Sequence, residues 1–283
     1  MIKKDFKPNY DQKTIDSFGQ EWQKFDQYSL SEIEIDKLFN KYFNIFPWTA
    51  IGDNSEGFDM GCGSGRWAKI VAPKVGHLNC IDPANEAIEV SKKVLSKNLN
   101  ITFFNESIDN VSIKENSQDF GYSLGVLHHI PDTQRALNSC VSLLKKDAPF
   151  LIYLYYNFDN RSTFFKLIWR FSEFFRSFIS KLPNSFKPFF TDGIAILVYW
   201  PLARFSKLIS WLGINPSFIP LSFYKNSSFY TLRTDSRDRF GTPLEQRFSK
   251  KDILRMMNKA GLNQIKFSDE EPYWVAVGFK SDQ

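Results

Sequence analysis

Residues 57–68 read GFDMGCGSGRWA, which puts glycines at positions 61, 63 and 65 directly after a short apolar run. Glycine adopts left-handed backbone conformations and has no Cβ, so a turn of this kind lets a ligand approach the backbone closely. In an α/β sheet such a turn follows the first strand, and ligands bind beyond the carboxyl ends of the strands. The motif therefore predicts a ligand site at the end of a strand near residue 60.

The segments after this turn alternate between strand-like and helix-like patterns. HLNCID, ITFF, DFGYSLG and FLIYLYY predict strands, whereas ANEAIEVSKKVLSK and TQRALNSCVSLLKK predict helices. Strands that alternate with helices of this length indicate βαβ crossovers and a parallel sheet with helices on both faces. The predicted fold class is α/β.

Composition narrows the classes of function. The chain has 283 residues, 24% of them charged, and a formal net charge of +5, which is far from the charge density of a nucleic-acid-binding protein. Its three widely spaced cysteines form neither a disulfide framework nor a CxxC metal site. The longest apolar run, GIAILVYWPLA, has about half of the roughly 20 residues that a membrane span needs. We expect a cytoplasmic protein with no signal peptide, no membrane span and no nucleic-acid partner.

Three ligand types compete for the glycine turn. A P-loop is excluded because no GK[ST] follows the glycines, and a dinucleotide fingerprint fits poorly because Arg66 stands where its third glycine would be. What remains is a GxGxG turn preceded by Asp59 and followed by Asp82 at the end of the next predicted strand. An acid at that place accepts ribose hydroxyls. A ribose without a pyrophosphate, next to an acid that can face an amino group, describes S-adenosylmethionine better than NAD.

Residues 57–156 resemble the class I S-adenosylmethionine-dependent methyltransferases, in particular the small-molecule group with a methyltransferase-11 domain. Four segments carry the resemblance by their order and spacing: FDMGCGSGRWA, CIDPANEAIEVSKK, FFNESIDNVSIKENSQDFGYSLGVLHHIPD and LLKKDAPFLIYLYY. The resemblance implies a Rossmann-like fold with a mainly parallel seven-stranded sheet that ends in antiparallel strands. It also implies S-adenosyl-L-methionine as cofactor and S-adenosyl-L-homocysteine as product.

The resemblance also implies roles for individual residues around the cofactor. Asp59 would help to hold the ammonium group, and Asp82 would bind the ribose. The full set of implied cofactor residues is Asp59, Gly61, Cys62, Gly63, Gly65, Asp82, Pro83, Glu106, Ser107, Ile108, Leu124 and Gly125. The glycines would face the amino-acid end of the cofactor, the segment 106–108 would surround the adenine, and Leu124, Gly125 and His128 would lie near the sulfur. The structural alternative for Asp59 is that it only caps or orients the turn. The alternative for Asp82 is that it only caps the next helix.

His128 and His129 are the candidate catalytic residues, because a histidine with a near-neutral pKa is the usual proton acceptor when a hydroxyl attacks a methyl sulfonium. The segment HHIPD also fits a loop that closes onto a helix, with histidines that pack or hydrogen-bond only locally. His77 is far away in sequence, so the three histidines lack metal-ligand spacing and no metal is expected.

Residues 158–230 leave the family pattern and form a predicted helical insertion. Residues 158–212 hold 8 basic and 3 acidic residues and 11 of the 29 phenylalanines. Helical spacing relates Phe164, Ile168, Phe171, Phe175, Phe178 and Leu182, with Lys166, Arg170, Glu173 and Ser177 on the other side. We interpret the insertion as a lid or a dimer face whose aromatic side packs on the catalytic domain. The alternative is an interfacial helix that rests on an anionic membrane and takes a lipid or lipid-linked substrate.

The stretch TDSRDRFGTPLEQRF, residues 234–248, has a loop-like sequence dense in charge. A solvated, self-paired charge cluster is one interpretation. Because the stretch joins the insertion to the core near the expected cofactor site, substrate binding is the other, with Arg239 and Asp235 as candidates. Tyr155 and Tyr156, at the end of the strand FLIYLYY, are further substrate candidates.

The predicted organisation is a helical lead-in over residues 1–50, a cofactor-binding core over 51–157, the insertion over 158–230 and a C-terminal completion of the sheet over 231–283. Phe18, Trp22 and Phe25 at helical spacing support the lead-in. The predicted reaction is in-line methyl transfer to an oxygen, with nitrogen less favoured, of a small anionic metabolite or glycan precursor. A membrane-surface methyltransferase with a lipid acceptor and a non-catalytic cofactor-binding partner subunit are the alternatives. A homodimer and peripheral membrane contact both stay open.

Overall fold

A single seven-stranded sheet organises the protein. The computed structural model describes residues 8–24 and 31–282; Phe25 of the predicted lead-in pattern lies outside them. The strands are β1 (Glu56–Met60), β2 (His77–Ile81), β3 (Ile101–Phe104), β4 (Phe120–Leu124), β5 (Pro149–Tyr153), β6 (Leu262–Phe267) and β7 (Val275–Lys280). Their order is β3-β2-β1-β4-β5-β7-β6. The first five strands pair in parallel, and β7 pairs antiparallel with both β5 and β6. The predicted α/β fold with an antiparallel end is confirmed.

Helices cover the sheet and form the insertion. In the described ranges they are α1 (Gln12–Lys24), α2 (Glu32–Phe43), α3 (Ala68–Val71), α4 (Asn85–Val94), α5 (Thr133–Leu143), α6 (Thr163–Ile179), α7 (Lys187–Ile194), α8 (Trp200–Trp211), α9 (Phe229–Gly241) and α10 (Lys250–Lys259). A π-helical turn, Ala195–Tyr199, joins α7 to α8. None of these helices is both long enough and apolar enough to span a bilayer. Phe58 and Phe150 lie stacked at 5.9 Å in the core on one face of the sheet, and Leu78 and Phe120 are buried in the core on the other.

The strand order determines where a ligand can bind. It reverses between β1 and β4, and in an open parallel sheet this reversal opens a crevice beyond the carboxyl ends of the strands. The residues that follow β1 are the glycine turn. The backbone N–H groups of Gly61 and Cys62 both donate to the Ile81 carbonyl, at 2.8 and 3.0 Å. The turn is thereby anchored to the end of β2, at the edge where the crevice opens.

The helical insertion is longer than the sequence indicated. Helices α6 and α7 both pack against α9, and the three share a small core that includes Ile179, Tyr199 and Leu232. The boundary at residue 230 therefore falls inside the helical layer, which continues to Gly241. The stretch 234–248 was expected to be loop-like, but its first half completes α9. A helix forms here because its charged side chains find partners inside the protein, as described below.

Helix α6 has the opposite orientation from the predicted one. Phe164, Phe171 and Phe178 are 71%, 68% and 60% exposed, so the expected packing of the aromatic side on the catalytic domain is wrong, while the lid or dimer face stays a prediction. The inner side instead carries Trp169 and Arg176, and Arg176 donates to the Thr242 carbonyl at 3.1 Å. The side that interacts with the protein is thus the one that carries polar and cationic groups.

Replacing Ser249 with alanine is expected to lower the free energy of unfolding by about 1 kcal/mol. The Ser249 hydroxyl accepts from the Asp252 N–H at 3.1 Å, and the Asp252 carboxylate accepts from the Ser249 N–H at 3.1 Å, which forms a capping box at the start of α10. Urea unfolding followed by circular dichroism measures the loss. Lys251→Ala, in the same turn, is the control and should change the value by less than about 0.5 kcal/mol. Equal losses in the two variants would contradict the capping role.

Candidate active site

The glycine turn has a backbone that other residues would strain. Gly61, Gly63 and Gly65 have φ angles of +79°, +53° and +78°, in the left-handed region that glycine adopts at no cost. A Cβ at Gly61 would lie 2.4 Å from the side chain of Val126. Glycine at this position is therefore required by both the conformation and the space available.

Asp82 holds the turn and also faces a cavity. Its carboxylate accepts from the Gly63 N–H at 3.0 Å and from the Ala84 N–H at 2.9 Å. Burial raises the pKa of Asp82 to about 6, while these two backbone N–H groups oppose the rise. Each carboxylate oxygen has lone pairs beyond those used by the backbone. Asp82 can therefore accept hydrogen bonds from a ligand hydroxyl while it fixes the turn.

A cavity of about 130 Å³ lies against the turn, and we call it the glycine-turn cavity. All of the predicted cofactor residues line it except Asp59 and Gly65. Those that do are Gly61, Cys62, Gly63, Asp82, Pro83, Glu106, Ser107, Ile108, Leu124 and Gly125. The carboxylate of Glu106 also accepts from the Ser112 N–H and hydroxyl, both at 2.6 Å, which ties down the loop after β3.

Asp59 and Gly65 lie behind the turn. Asp59 is 1% exposed, and its Oδ2 has no hydrogen-bond partner among the described residues. Burial raises the pKa of Asp59 to about 8, so the carboxyl group holds a proton for much of the neutral pH range. At Gly65 a Cβ would lie 2.6 Å from the Ser91 hydroxyl, so this glycine permits α4 to pack closely against the turn.

Helix α1 covers the glycine-turn cavity, and no pattern in the sequence predicts this contact. Phe18 and Trp22 line the cavity, and a Cβ on Gly63 would lie 2.9 Å from the Trp22 indole. The chain before α1 is fastened by Asn9. Its side-chain amide donates to the Asp132 carbonyl at 2.9 Å, and its Oδ1 accepts from the Asp132 N–H at 2.7 Å. The lead-in therefore forms a wall of the site and shields it from water.

Arg66 is a second residue that sequence reasoning missed, although it belongs to the motif. In the sequence pattern, Arg66 stands out only because it occupies the place of a third glycine. In the structure it lines the glycine-turn cavity, and its Nε has no hydrogen-bond partner among the described residues. Its guanidinium stacks over the Trp67 ring at 4.2 Å. A cation here can face the carboxylate of a ligand with an amino-acid end.

The two histidines occupy different environments. His128 is fully buried, stacks under Tyr155 with ring centroids 3.9 Å apart, and lines neither of the cavities described here. His129 lines the glycine-turn cavity, and Phe18 packs on its ring at 4.9 Å. The His129 Nδ1 lies 2.6 Å from the Leu244 carbonyl. A carbonyl only accepts, so Nδ1 carries the proton, and Nε2 is the bare nitrogen of the neutral ring.

Asp238 completes a short polar chain with His129. Its Oδ1 lies 3.6 Å from the His129 Nε2, and its Oδ2 accepts from the Tyr155 hydroxyl. Burial raises the pKa of Asp238 to about 7 and lowers the pKa of His129 to about 4. At neutral pH the imidazole is therefore neutral, and the Asp238 carboxyl is near half protonation. Asp238 was not a predicted site residue, since nothing in its local sequence separates it from the neighbouring charges.

A second cavity, of about 440 Å³, lies between the carboxyl end of β5 and the insertion. We call it the tyrosine cavity, after the residues Tyr42, Tyr153, Tyr155, Tyr156, Tyr199, Tyr224 and Tyr273 in its wall. The four predicted substrate residues, Tyr155, Tyr156, Asp235 and Arg239, all line it. Tyr155 connects this cavity to the His129 and Asp238 pair beside the glycine-turn cavity.

The charges around the tyrosine cavity are buried and paired, so a solvated cluster at residues 234–248 is not what forms. Arg239 contacts Glu173 at 2.9 Å and Glu245 at 3.3 Å. Arg247 contacts the same Glu245 at 2.7 Å and stacks over the Tyr155 ring at 5.1 Å. Burial of this kind holds polar side chains in fixed positions.

Asp235 is held from the cavity side by the Tyr224 hydroxyl, which donates to it. Burial raises the pKa of Asp235 to about 6. Arg161, Arg239 and Arg247 also line the cavity, and each of them is paired with a glutamate.

Comparison with known proteins identifies the core. Residues 58–152 match the family model described as a methyltransferase domain. The ubiquinone biosynthesis O-methyltransferase of Salmonella paratyphi A is 28% identical over 91 residues, which are 31% of this chain and 38% of that enzyme. The chain thus matches less than two fifths of the length of this curated relative.

Among solved structures, the complex between the Haloferax volcanii Trm112 methyltransferase activator and a methyltransferase contains a similar chain. The TM-score is 0.50 and the identity 11%, and the match covers 94% of this chain and 98% of that one. At this identity the similarity shows the fold alone. Together with the glycine turn and Asp82, the family match identifies residues 58–152 as a methyltransferase domain of the methyltransferase-11 kind, whose cofactor is S-adenosylmethionine.

Proposed function

We propose that this protein transfers a methyl group from S-adenosylmethionine in the glycine-turn cavity to an oxygen of an acceptor in the tyrosine cavity. The observation that carries the proposal is the polar chain of His129, Asp238 and Tyr155, since its two ends line the two cavities. Oxygen is favoured over nitrogen because a hydroxyl must lose its proton as it attacks, and this chain contains a proton site. A 91-residue segment of this chain is similar to a ubiquinone biosynthesis O-methyltransferase, which agrees with this choice.

The residues of the glycine-turn cavity fit the cofactor. Asp82 has free lone pairs for the ribose hydroxyls, and the glycine turn leaves room for the amino-acid end. Arg66 would pair with the carboxylate of that end, and Ile108 would pack on the adenine. Asp59, behind the turn, would act on the ammonium group through water. When bound, the cofactor supplies an electrophilic methyl group on a sulfonium sulfur.

The chain's own residues would align the acceptor and take its proton. Tyr155 and Tyr156 would orient the acceptor, and Arg239 with Asp235 would bind its polar groups in the cavity wall. The proton that the acceptor hydroxyl loses as its oxygen gains the methyl group would move to the site formed by the His129 Nε2 and the Asp238 carboxylate. Alignment provides most of the rate increase, and the proton acceptor contributes about 10²-fold to 10⁴-fold.

The acceptor we propose is a small molecule with an anionic or hydroxylated head. The arginines in the tyrosine cavity support an anionic group, while the seven tyrosines support stacking on an apolar or ring-shaped part. His128, which lines neither cavity, would act only by supporting Tyr155 from below.

Asp82→Ala is expected to weaken the binding of S-adenosylhomocysteine by about 1.5–3 kcal/mol, because it removes charge-assisted hydrogen bonds to the ribose. Isothermal titration calorimetry measures this loss. Asp53→Ala, an exposed carboxylate in the turn before β1, is the matched control and should bind as the wild type does. Unchanged affinity in Asp82→Ala, or tighter binding of NAD than of S-adenosylhomocysteine, would contradict the assignment.

His129 is expected to be neutral, with its proton on Nδ1, down to about pH 5, because its pKa is lowered to about 4 by burial. Long-range ¹⁵N–¹H spectra of the imidazole measure both the tautomer and the titration. The charge of Glu245 favours the protonated imidazole of His129, whereas the charges of Arg176 and Arg247 disfavour it. The pKa of His129 therefore stays below its usual value. A cationic His129 at pH 7 would rule out its role as proton acceptor.

His129→Gln and Asp238→Asn should each slow methyl transfer by about 10²-fold to 10⁴-fold without weakening S-adenosylhomocysteine binding. The assay follows label from methyl-labelled S-adenosylmethionine into an extract of metabolites and lipids. His77→Gln, at the start of β2 and away from both cavities, is the control. Full activity in both site variants would overturn the proton chain, and no transfer by the wild type would favour a non-catalytic cofactor-binding subunit.

A further inference from the structure

The insertion exposes an aromatic stripe along α6. Phe164, Phe171, Phe174 and Phe178 are 71%, 68%, 73% and 60% exposed. Their spacing of three, four and seven residues places them on one side of the helix. Because α6 packs on α9 with its other side, this stripe faces away from the protein. Contiguous apolar surface of this kind marks an interaction site in a soluble protein.

The other helices of the insertion also carry exposed apolar side chains. Phe189 in α7, Leu197 in the π-helical turn and Trp211 in α8 are 78%, 77% and 80% exposed. We call the whole set the insertion face: Phe164, Leu167, Ile168, Phe171, Phe174, Phe175, Phe178, Phe186, Phe189, Phe190, Ile196, Leu197, Val198, Trp200, Phe205, Leu208, Trp211, Leu212, Ile214 and Phe218. Phenylalanine and tryptophan are the side chains that insert at the boundary between headgroups and acyl chains.

The insertion face reaches the mouth of the tyrosine cavity. Ile168 and Val198 are 38% and 44% exposed and also line the cavity. Further apolar side chains, Phe165 and Leu202, lead from them into the cavity. A molecule with an apolar tail can therefore place its head in the cavity while its tail leaves along the insertion face.

Each of the three acidic residues of the insertion has a partner within the protein. Glu173 pairs with Arg239 at 2.9 Å. Asp192 pairs with Arg233 at 2.7 Å. Asp159 accepts from the Trp274 indole at 2.9 Å. Two of the three negative charges of this region are thus paired with arginines of the protein itself.

Several basic residues of the insertion are turned outward instead. Arg170, Lys181 and Lys207 are exposed, and none of them forms an ion pair among the described residues. Cations beside an exposed aromatic face attract an anionic lipid surface, at about 1 kcal/mol for each Lys or Arg near it.

We propose that the insertion face docks on an anionic lipid surface and that the tyrosine cavity takes an amphiphilic acceptor from that surface. The acceptor part rests on the proposed function, whereas the docking does not. A second copy of the chain fits this face less well. In a two-fold interface the same patch meets itself, which would bring Arg170 and Lys207 toward like charges and cover the mouth at Ile168 and Val198.

Vesicle flotation of the full chain tests the docking. We expect binding to vesicles of phosphatidylcholine with phosphatidylglycerol, weaker binding to phosphatidylcholine alone, and partial loss as salt rises. The double variant Phe171→Asp, Phe174→Asp should lose about tenfold or more of the vesicle affinity, because charge replaces inserted aromatic surface. Leu99→Asp is the matched control, because Leu99 lies outside the insertion and is 97% exposed. This variant should bind as the wild type does.

Absence of wild-type binding to anionic vesicles at low salt would overturn the docking, and so would an equal loss in Leu99→Asp. Light scattering that shows a dimer, disrupted by the same double variant without any vesicle binding, would assign the face to a second copy instead.

Calorimetry with S-adenosylhomocysteine separates the docking from the proposed function, since the double variant should keep wild-type affinity for this ligand. Methyl label that enters the organic phase of a membrane extract supports an amphiphilic acceptor, and label found only in the aqueous phase would overturn it.

Discussion

The left-handed turn at Gly61–Gly65 and its attachment to the end of β2 determine the geometry of the site. The Gly61 N–H donates to the Ile81 carbonyl at 2.8 Å, and the Gly63 N–H donates to the Asp82 carboxylate at 3.0 Å. These bonds fix the backbone at the point where the strand order reverses, which is where an open parallel sheet binds its ligand. The same carboxylate that fixes the turn faces the cavity, so folding of the turn and preparation of the cofactor site are one event.

Two cavities lie at the same edge of the sheet. The glycine-turn cavity is formed by strand ends and covered by α1, whereas the tyrosine cavity is formed by the end of β5 and the insertion. Tyr155 and His129 connect them through Asp238. Residues 58–152, which match the family model, supply most of the first cavity, and α1 with the segment before it supplies the rest. The residues that line the second cavity lie outside 58–152, which is why the family match does not identify the acceptor.

Local patterns predicted the parts of this structure that local physics determines. The strands and the glycine turn follow from apolar runs and from residues that tolerate positive φ, and they were predicted at their observed places. Periodicity also predicted which residues share a side of α6, but not which side faces the protein, because that depends on the partners Arg239 and Thr242 far along the chain. The cover by α1 and the contact of Asp238 with His129 are likewise long-range, and no sequence signal marks them.

A crystal structure of the complex with S-adenosylhomocysteine would show whether the two cavities hold cofactor and acceptor. We expect the ribose hydroxyls within hydrogen-bond distance of Asp82, the adenine against Ile108 and the sulfur directed toward the tyrosine cavity on the side of Tyr155. A nucleoside bound away from Asp82, or a sulfur that faces away from the tyrosine cavity, would contradict it.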